Sequence, residues 1–167
     1  MFGKREVVSD GAAIRRPCRL VAGHLSAVRV FRGGVTPEDD LRAALATVAA
    51  HLSPGGVALV APDATADTFE ETTEHGGGED RSGRKAHYLM WTLPPDPGGT
   101  SFETHYAFLL REPNGSVRTA HDVHHEGLFG RATWLRLFGE VGLTATLAPR
   151  TIEGVEYDSF VARRDAS

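Results

Sequence analysis

The chain has 167 residues, 41% hydrophobic and 24% charged, the composition of a folded protein with one globular core rather than two. Its 18 lysines and arginines against 22 aspartates and glutamates give a formal charge of -4, which offers no polycationic footprint, so no nucleic-acid partner is expected. A single cysteine, Cys18, no apolar run near the ~20 residues of a bilayer span, and no apolar core behind Lys4 and Arg5 argue against disulfides, a membrane span and a secretory leader; the cytoplasm is the expected location.

Residues 1–35 mix basic residues, glycines and short apolar pieces such as Val28 to Phe31 without a sustained period, and read as a poorly defined N-terminal segment ahead of a structured 36–167. A helix is predicted from Thr36. Thr36 can cap, Pro37 suits the first helical position, and Glu38, Asp39 and Asp40 face the positive end of the helix dipole. Leu41, Leu45, Val48 and Leu52 then recur on one face, with alanines between them favouring the helix. Ser53-Pro54-Gly55-Gly56 stops it. The unbroken apolar run Val57 to Ala61, closed by Pro62-Asp63, is predicted as a parallel strand covered on both sides.

Residues 64–85, with Gly76-Gly77-Gly78, read as a short helix around Ala66 to Thr72 followed by a mobile loop. From His87 the period becomes two, and strands are predicted at 87–93, 101–112 and 116–124, separated by a Pro/Gly-rich turn at 94–99 and by Pro113-Asn114-Gly115. These form an antiparallel meander. A second helix over 131–141 carries Trp134, Leu135, Phe138 and Val141 on one side and closes at Gly142. Two strands near 143–150 and 156–163, with Gly154 in their turn, complete the pattern.

The order of helix, Leu52-Ser53-Pro54-Gly55-Gly56, buried strand and Asp63 resembles the half of class I S-adenosylmethionine-dependent methyltransferases that follows the cofactor-binding half. Further along, Thr104-His105-Tyr106, Leu110-Arg111-Glu112, Asn114-Gly115-Ser116-Val117, the D-x-H-x-x-G-L-F run from Asp122 to Phe129 and Arg131-Ala132-Thr133-Trp134-Leu135 are similar to small-molecule methyltransferases of actinobacterial type. The resemblance covers residues 36–164. It implies an α/β fold: a partial Rossmann-like sheet with an antiparallel meander insertion and a C-terminal β-hairpin. It also implies S-adenosylmethionine as cofactor and a small-molecule acceptor.

In that fold a glycine-rich turn after the first strand and an acid ending the second hold the cofactor. Residues 1–35 contain no G-x-G-x-G and are too few for three strands with their crossovers, each unit of which needs ~30 residues. The pieces between Leu20 and Val30 could be the remnant of a preceding strand. A truncated or frameshifted reading frame is the expectation, and the cofactor-binding residues stay unassigned.

Methyl transfer needs a base near the acceptor proton, and histidine and aspartate suit it. His121-Asp122-Val123-His124-His125-Glu126 is the densest polar cluster, and strand alternation sends His121 and His125 to one face and Asp122, His124 and Glu126 to the other. The resemblance carries a substrate-pocket role onto Asp122 and His124, with His124 as candidate base. A solvent-facing strand end with local hydrogen bonds is the other reading, and a zinc site a third, although H-x-x-H-H-E lacks the H-E-x-x-H spacing of zinc proteases. Asp63 lies just past the carboxyl end of a strand, where α/β sheets bind ligands, and is a substrate-binding candidate or simply a turn former. His87, Tyr88, Trp91, His105 and Tyr106 could roof an acceptor pocket or pack as core; His87, Tyr106 and His121 join the substrate-binding candidates.

Two other function classes stay open. One is a non-catalytic binding or dimerisation module, since an orphaned half-sheet leaves an unpaired edge that favours homo-oligomers. The other is a zinc-dependent hydrolase.

Overall fold

A computed structural model of the chain describes residues 18–25, 37–95, 97–152 and 154–166. Its elements are β1 (Cys18–Leu25), α1 (Pro37–His51), β2 (Leu52–Pro62), β3 (Thr72–Glu79), β4 (Lys85–Leu93), β5 (Ser101–Arg111), β6 (Val117–Gly127), α2 (Arg131–Glu140), β7 (Leu143–Leu147), β8 (Arg150–Ile152), β9 (Val155–Tyr157) and β10 (Phe160–Arg164). Thr36, the expected cap, and Val28 to Phe31 lie outside the described residues. The chain divides into two compact units: one holds β1, most of α1, β2, α2 and β7 to β10, the other the β3 to β6 meander.

In the first unit β1 and β2 run parallel and α1 precedes β2; β10 then lies antiparallel to both β2 and β7, giving the order β1-β2-β10-β7. Val57 to Ala61 is therefore an interior strand with a parallel neighbour on one side. β1 is the preceding strand that Leu20 onward suggested. The apolar stripe of α1 does what its spacing requires: Leu41 and Leu45 are wholly buried, as is Leu52 at the start of β2. The C-terminal carbonyls of α1 find a donor from β10, where Arg164 Nη1 bonds Ala49 O at 3.0 Å and Leu52 O at 2.8 Å. Trp134 and Phe138 of α2 pack on Phe160 with ring centroids 5.3 and 5.7 Å apart.

Three local expectations are corrected. The strand predicted to be covered on both sides is covered fully on one and partly on the other: Ala58 and Val60 are buried, while on the second face Ala61 is buried and Leu59 is 40% exposed. The two long C-terminal strands are four short ones, because Pro149 cannot donate to a ladder and Asp158 turns inward to Arg131, leaving β8 and β9 as a separate hairpin about Gly154 at φ 87°. The helix and loop predicted over 64–85 are a single turn, with Thr68 N bonded to Thr65 O at 3.1 Å, followed by the edge strand β3.

β3 forms although three glycines disfavour a strand. A Cβ on Gly76 would lie 2.7 Å from the Tyr88 hydroxyl, and one on Gly77 2.5 Å from the Ala86 carbonyl oxygen. Bare backbone lets the Tyr88 ring lie across the strand, so cross-strand packing outweighs local propensity. The second unit is then a continuous antiparallel sheet β3-β4-β5-β6. Two of its hairpin turns use the same device. Asp80 Oδ1 accepts from Ser82 N and Oγ, Asn114 Oδ1 accepts from Ser116 N and Oγ, and Gly83 and Gly115 take positive φ. Those bonds, the Ser82 hydroxyl first, hold Asp80 below the ordinary carboxylate range. No helix among the described residues is long and apolar enough to cross a membrane.

Candidate functional site

The pleat of the meander sorts its side chains into two faces, and the register fixes which residues meet on each. Across one face run Thr92, Thr104 and His124, and beside them Met90, Tyr106 and Asp122. Phe102 pairs with Glu126 at the end of the same face. This end is closed to water: Thr92, Phe102, Thr104 and Glu126 are all buried.

His124 sits at the border of the buried end, its side chain 29% exposed. Its Nε2 is 3.2 Å from Asp122 Oδ2, the i, i+2 spacing that places both on one face of a strand. Its Nδ1 is 3.9 Å from Glu126 Oε1, too long for a hydrogen bond but within ion-pair reach once the ring is protonated. The Tyr106 ring backs the imidazole at 4.9 Å between centroids, and Tyr106 in turn stacks on Phe108 at 5.7 Å. With Asp122 accepting the Nε2 proton, Nδ1 carries the lone pair. The ring can then take a proton at Nδ1 and hold it against a second carboxylate.

The candidates named from the sequence do not all meet. Asp122, His124 and Tyr106 come together. His87 and His121 point to the opposite face, because they are an odd number of residues from Tyr88 and Asp122. The proposed roof is split in the same way, with Tyr88 and Tyr106 on the face of His124 and His87, Trp91 and His105 on the other. Asp63 is exposed at the end of β2, in the first unit. Glu126 received no role from sequence reasoning, although the alternation that joined Asp122 to His124 extends to it; its burial is what the sequence does not show.

On the opposite face His121 Nε2 is 3.1 Å from His105 Nδ1, their rings stacked at 5.3 Å. Glu103 links His105 Nε2 and His125 Nδ1, each at 3.2 Å. Among the described residues no three or more histidines, cysteines or acids are arranged to hold a metal ion.

No family model matches the chain. It is 32% identical over 111 residues to a dTDP-3-amino-3,4,6-trideoxy-alpha-D-glucopyranose N,N-dimethyltransferase of Streptomyces venezuelae, a match spanning 66% of this chain and 46% of the relative. The chain thus spans about half the length of the curated relative it matches. Among solved structures it is similar to Streptomyces venezuelae DesVI, with a TM-score of 0.71 at 24% identity over 90% of this chain and 60% of that one. It also resembles CalS10, an amino pentose methyltransferase from Micromonospora echinaspora solved with S-adenosylmethionine, with a TM-score of 0.64 at 23% identity, covering 90% of this chain and 60% of the other. The sugar N-methyltransferase KedS8 from a Streptoalloteichus species gives 0.67 at 20% identity, over 91% and 58%. These likenesses are of fold.

Proposed function

We propose that this chain, which has the fold of the C-terminal half of a class I S-adenosylmethionine-dependent methyltransferase, is the acceptor-binding part of an enzyme that methylates an amine on a small sugar. The Asp122–His124 pair carries the reading. An amine attacks a methyl group only through its lone pair, so an ammonium acceptor must first lose a proton. His124 is built to take it: Asp122 fixes the ring at Nε2 and Glu126 stands 3.9 Å from Nδ1 to offset the charge that arrives. Tyr106 supports the imidazole and offers an aromatic surface to a sugar. The substrate class is supported by the relatives, which are a dTDP-amino-sugar N,N-dimethyltransferase, an amino pentose methyltransferase and a sugar N-methyltransferase.

The residues present fit the acceptor side and not the donor side. S-adenosylmethionine supplies an activated methyl group when bound, but the sequence has no G-x-G-x-G turn, and the carboxyl ends of β1 and β2 with Asp63 offer only one margin of such a site. Asp63 is assigned a substrate-binding role at that margin. The cytoplasm is the proposed location, supported by the lone Cys18.

The test is calorimetric titration of the chain with a nucleotide-linked amino sugar, alongside transfer of labelled methyl from S-adenosylmethionine to that sugar. Histidine bases contribute on the order of 100- to 10,000-fold, so His124→Asn is expected to lower kcat by that range, and Asp122→Asn by less, since the imidazole remains. Absence of both transfer and saturable binding of the amino sugar refutes the acceptor-site reading. Transfer that survives His124→Asn unchanged refutes the base.

A further inference from the structure

We propose that His105 and His121, on the face of the meander opposite His124, form a two-histidine anchor for a divalent first-row transition ion, copper(II) foremost, with Glu103 as the positioning residue. The register brings the two rings together. His105 of β5 pairs with Val123 and His121 of β6 pairs with Ala107, so the histidines are diagonal neighbours on one face of adjacent strands. β5 and β6 are paired without a break from Ser101 and Gly127 to Arg111 and Val117, which makes the backbone beneath the rings a rigid platform.

Distance and tautomer both fit a metal. Metal–imidazole bonds are about 2.0–2.1 Å long. Two such bonds ending on His105 Nδ1 and His121 Nε2, 3.1 Å apart, meet at roughly 100°, between the square and the tetrahedral angle. Glu103 decides which nitrogen of His105 keeps its lone pair. Nε2 lies 3.2 Å from Glu103 Oε2, so the ring donates there and turns the Nδ1 lone pair toward His121. His125 Nδ1, 3.2 Å from Oε1, holds the same carboxylate from its other oxygen. A carboxylate behind an imidazole is the arrangement that orients a metal-binding histidine and raises its basicity. The contact between the two rings is then an N–H···N bond with His121 as donor, and an ion replaces it when the His121 proton moves to Nδ1.

The surroundings suit a cation. Ala107 stands opposite His121 and both are exposed, which leaves room for the waters that complete the coordination sphere. Trp91 and Val123 flank His105, and no lysine or arginine holds a register position on this face next to either ring. Arg111 is four residues beyond Ala107 on β5, roughly 13 Å along the strand. With two protein ligands rather than three the site is open, and an imidazole pair favours copper(II) over nickel(II) and zinc(II) in the ordinary affinity order. The ion clips β5 to β6 and takes no part in methyl transfer.

Calorimetric titration of the full, tag-free chain with copper(II) chloride in a non-coordinating buffer tests the site, together with electron paramagnetic resonance of the loaded protein and circular-dichroism melts of every variant. One ion per chain, superhyperfine splitting from two nitrogens and a raised melting temperature are expected. His105→Ala and His121→Ala should each weaken binding at least about tenfold and reduce the splitting to one nitrogen. Glu103→Gln should weaken it on the order of 10- to 100-fold and shift the copper spectrum, while the ion-free chain melts as the parent does. His51→Ala and His124→Asn should leave the affinity unchanged. Binding that survives both His105→Ala and His121→Ala, is lost in His124→Asn, places one ion between two chains, or yields to about a hundredfold excess of magnesium overturns the proposal. An unchanged affinity and spectrum in Glu103→Gln overturns the positioning role.

Discussion

Arg131 reaches the Asp158 carboxylate with both Nε, at 2.8 Å, and Nη2, at 3.0 Å, the two-pronged geometry that only a guanidinium supplies. The partners differ in exposure: the Arg131 side chain is a third exposed and that of Asp158 fully enclosed. Removing the arginine therefore leaves charge where water cannot reach, whereas removing the aspartate frees a cation that water can solvate. Arg131→Met should cost about 3 kcal/mol or more, the scale for breaking a buried pair, and Asp158→Asn less; urea unfolding of both variants checks the order. Glu140 shows the exposed counterpart. Hydrogen bonds from Arg42, at 2.8 Å, and then Arg136 hold its pKa below the ordinary glutamate range. A folded-state pKa lowered in this way adds stability that is present above the unfolded-state value and is lost as the pH falls through the folded one. Glu140→Gln should therefore lower the urea midpoint at neutral pH and converge with the parent in acid. A gap that persisted in acid would show that packing, not charge, was lost. At His124 the decisive fact is also local, because a strand's period of two keeps Asp122 and Glu126 on the same face as its ring.

Elements succeed or fail here by what packs across them. The meander strands β4 to β6 were legible because alternation, Pro/Gly breaks and an Asn-Gly turn all agree there. β3 was not, since Gly76 to Gly78 argues for a loop and only the Tyr88 ring lying over Gly76 explains a strand. The exit of β6 is a second close approach. A Cβ on Gly127 would meet the Phe129 ring at 2.6 Å, and Phe129, 4% exposed, has no room to swing away. Gly127→Ala should cost about 1–3 kcal/mol through overpacking, read as a drop in denaturation midpoint. A neutral result would mean that the β6–α2 connection is looser than its contacts imply. For α1, caps, alanines and apolar spacing predicted the helix, and the structure adds the Arg164 bonds to its last carbonyls, made across more than 100 residues of sequence.

At the level of the molecule the chain is two compact units threaded through each other in sequence, the meander inserted between β2 and α2. Each unit has its own buried residues, with Phe160 at the centre of the aromatic group in the first. Phe160→Ala should cost about 3–5 kcal/mol. The loss should concentrate in its own unit, so amide exchange ought to accelerate in β2, β7 and β10 more than in β4 to β6. Equal acceleration in both would show that the chain unfolds as one cooperative body.

The amino-acid pattern by itself determined α1, α2, β2 and the strands β4 to β6, the α/β class and the resemblance that points to methyl transfer, because periodicity, caps and turn chemistry act over a few residues. It also determined which of Asp122, His124 and His121 share a face, since a strand has a period of two. The tertiary structure decided what depends on distant neighbours: that β1 pairs in parallel with β2, that a glycine run becomes an edge strand under Tyr88, that Glu126 is buried beside His124, and that His87 stands on the opposite face of the sheet from the candidate base. Burial, pairing and register arise from contacts between segments tens of residues apart, and no local rule encodes them.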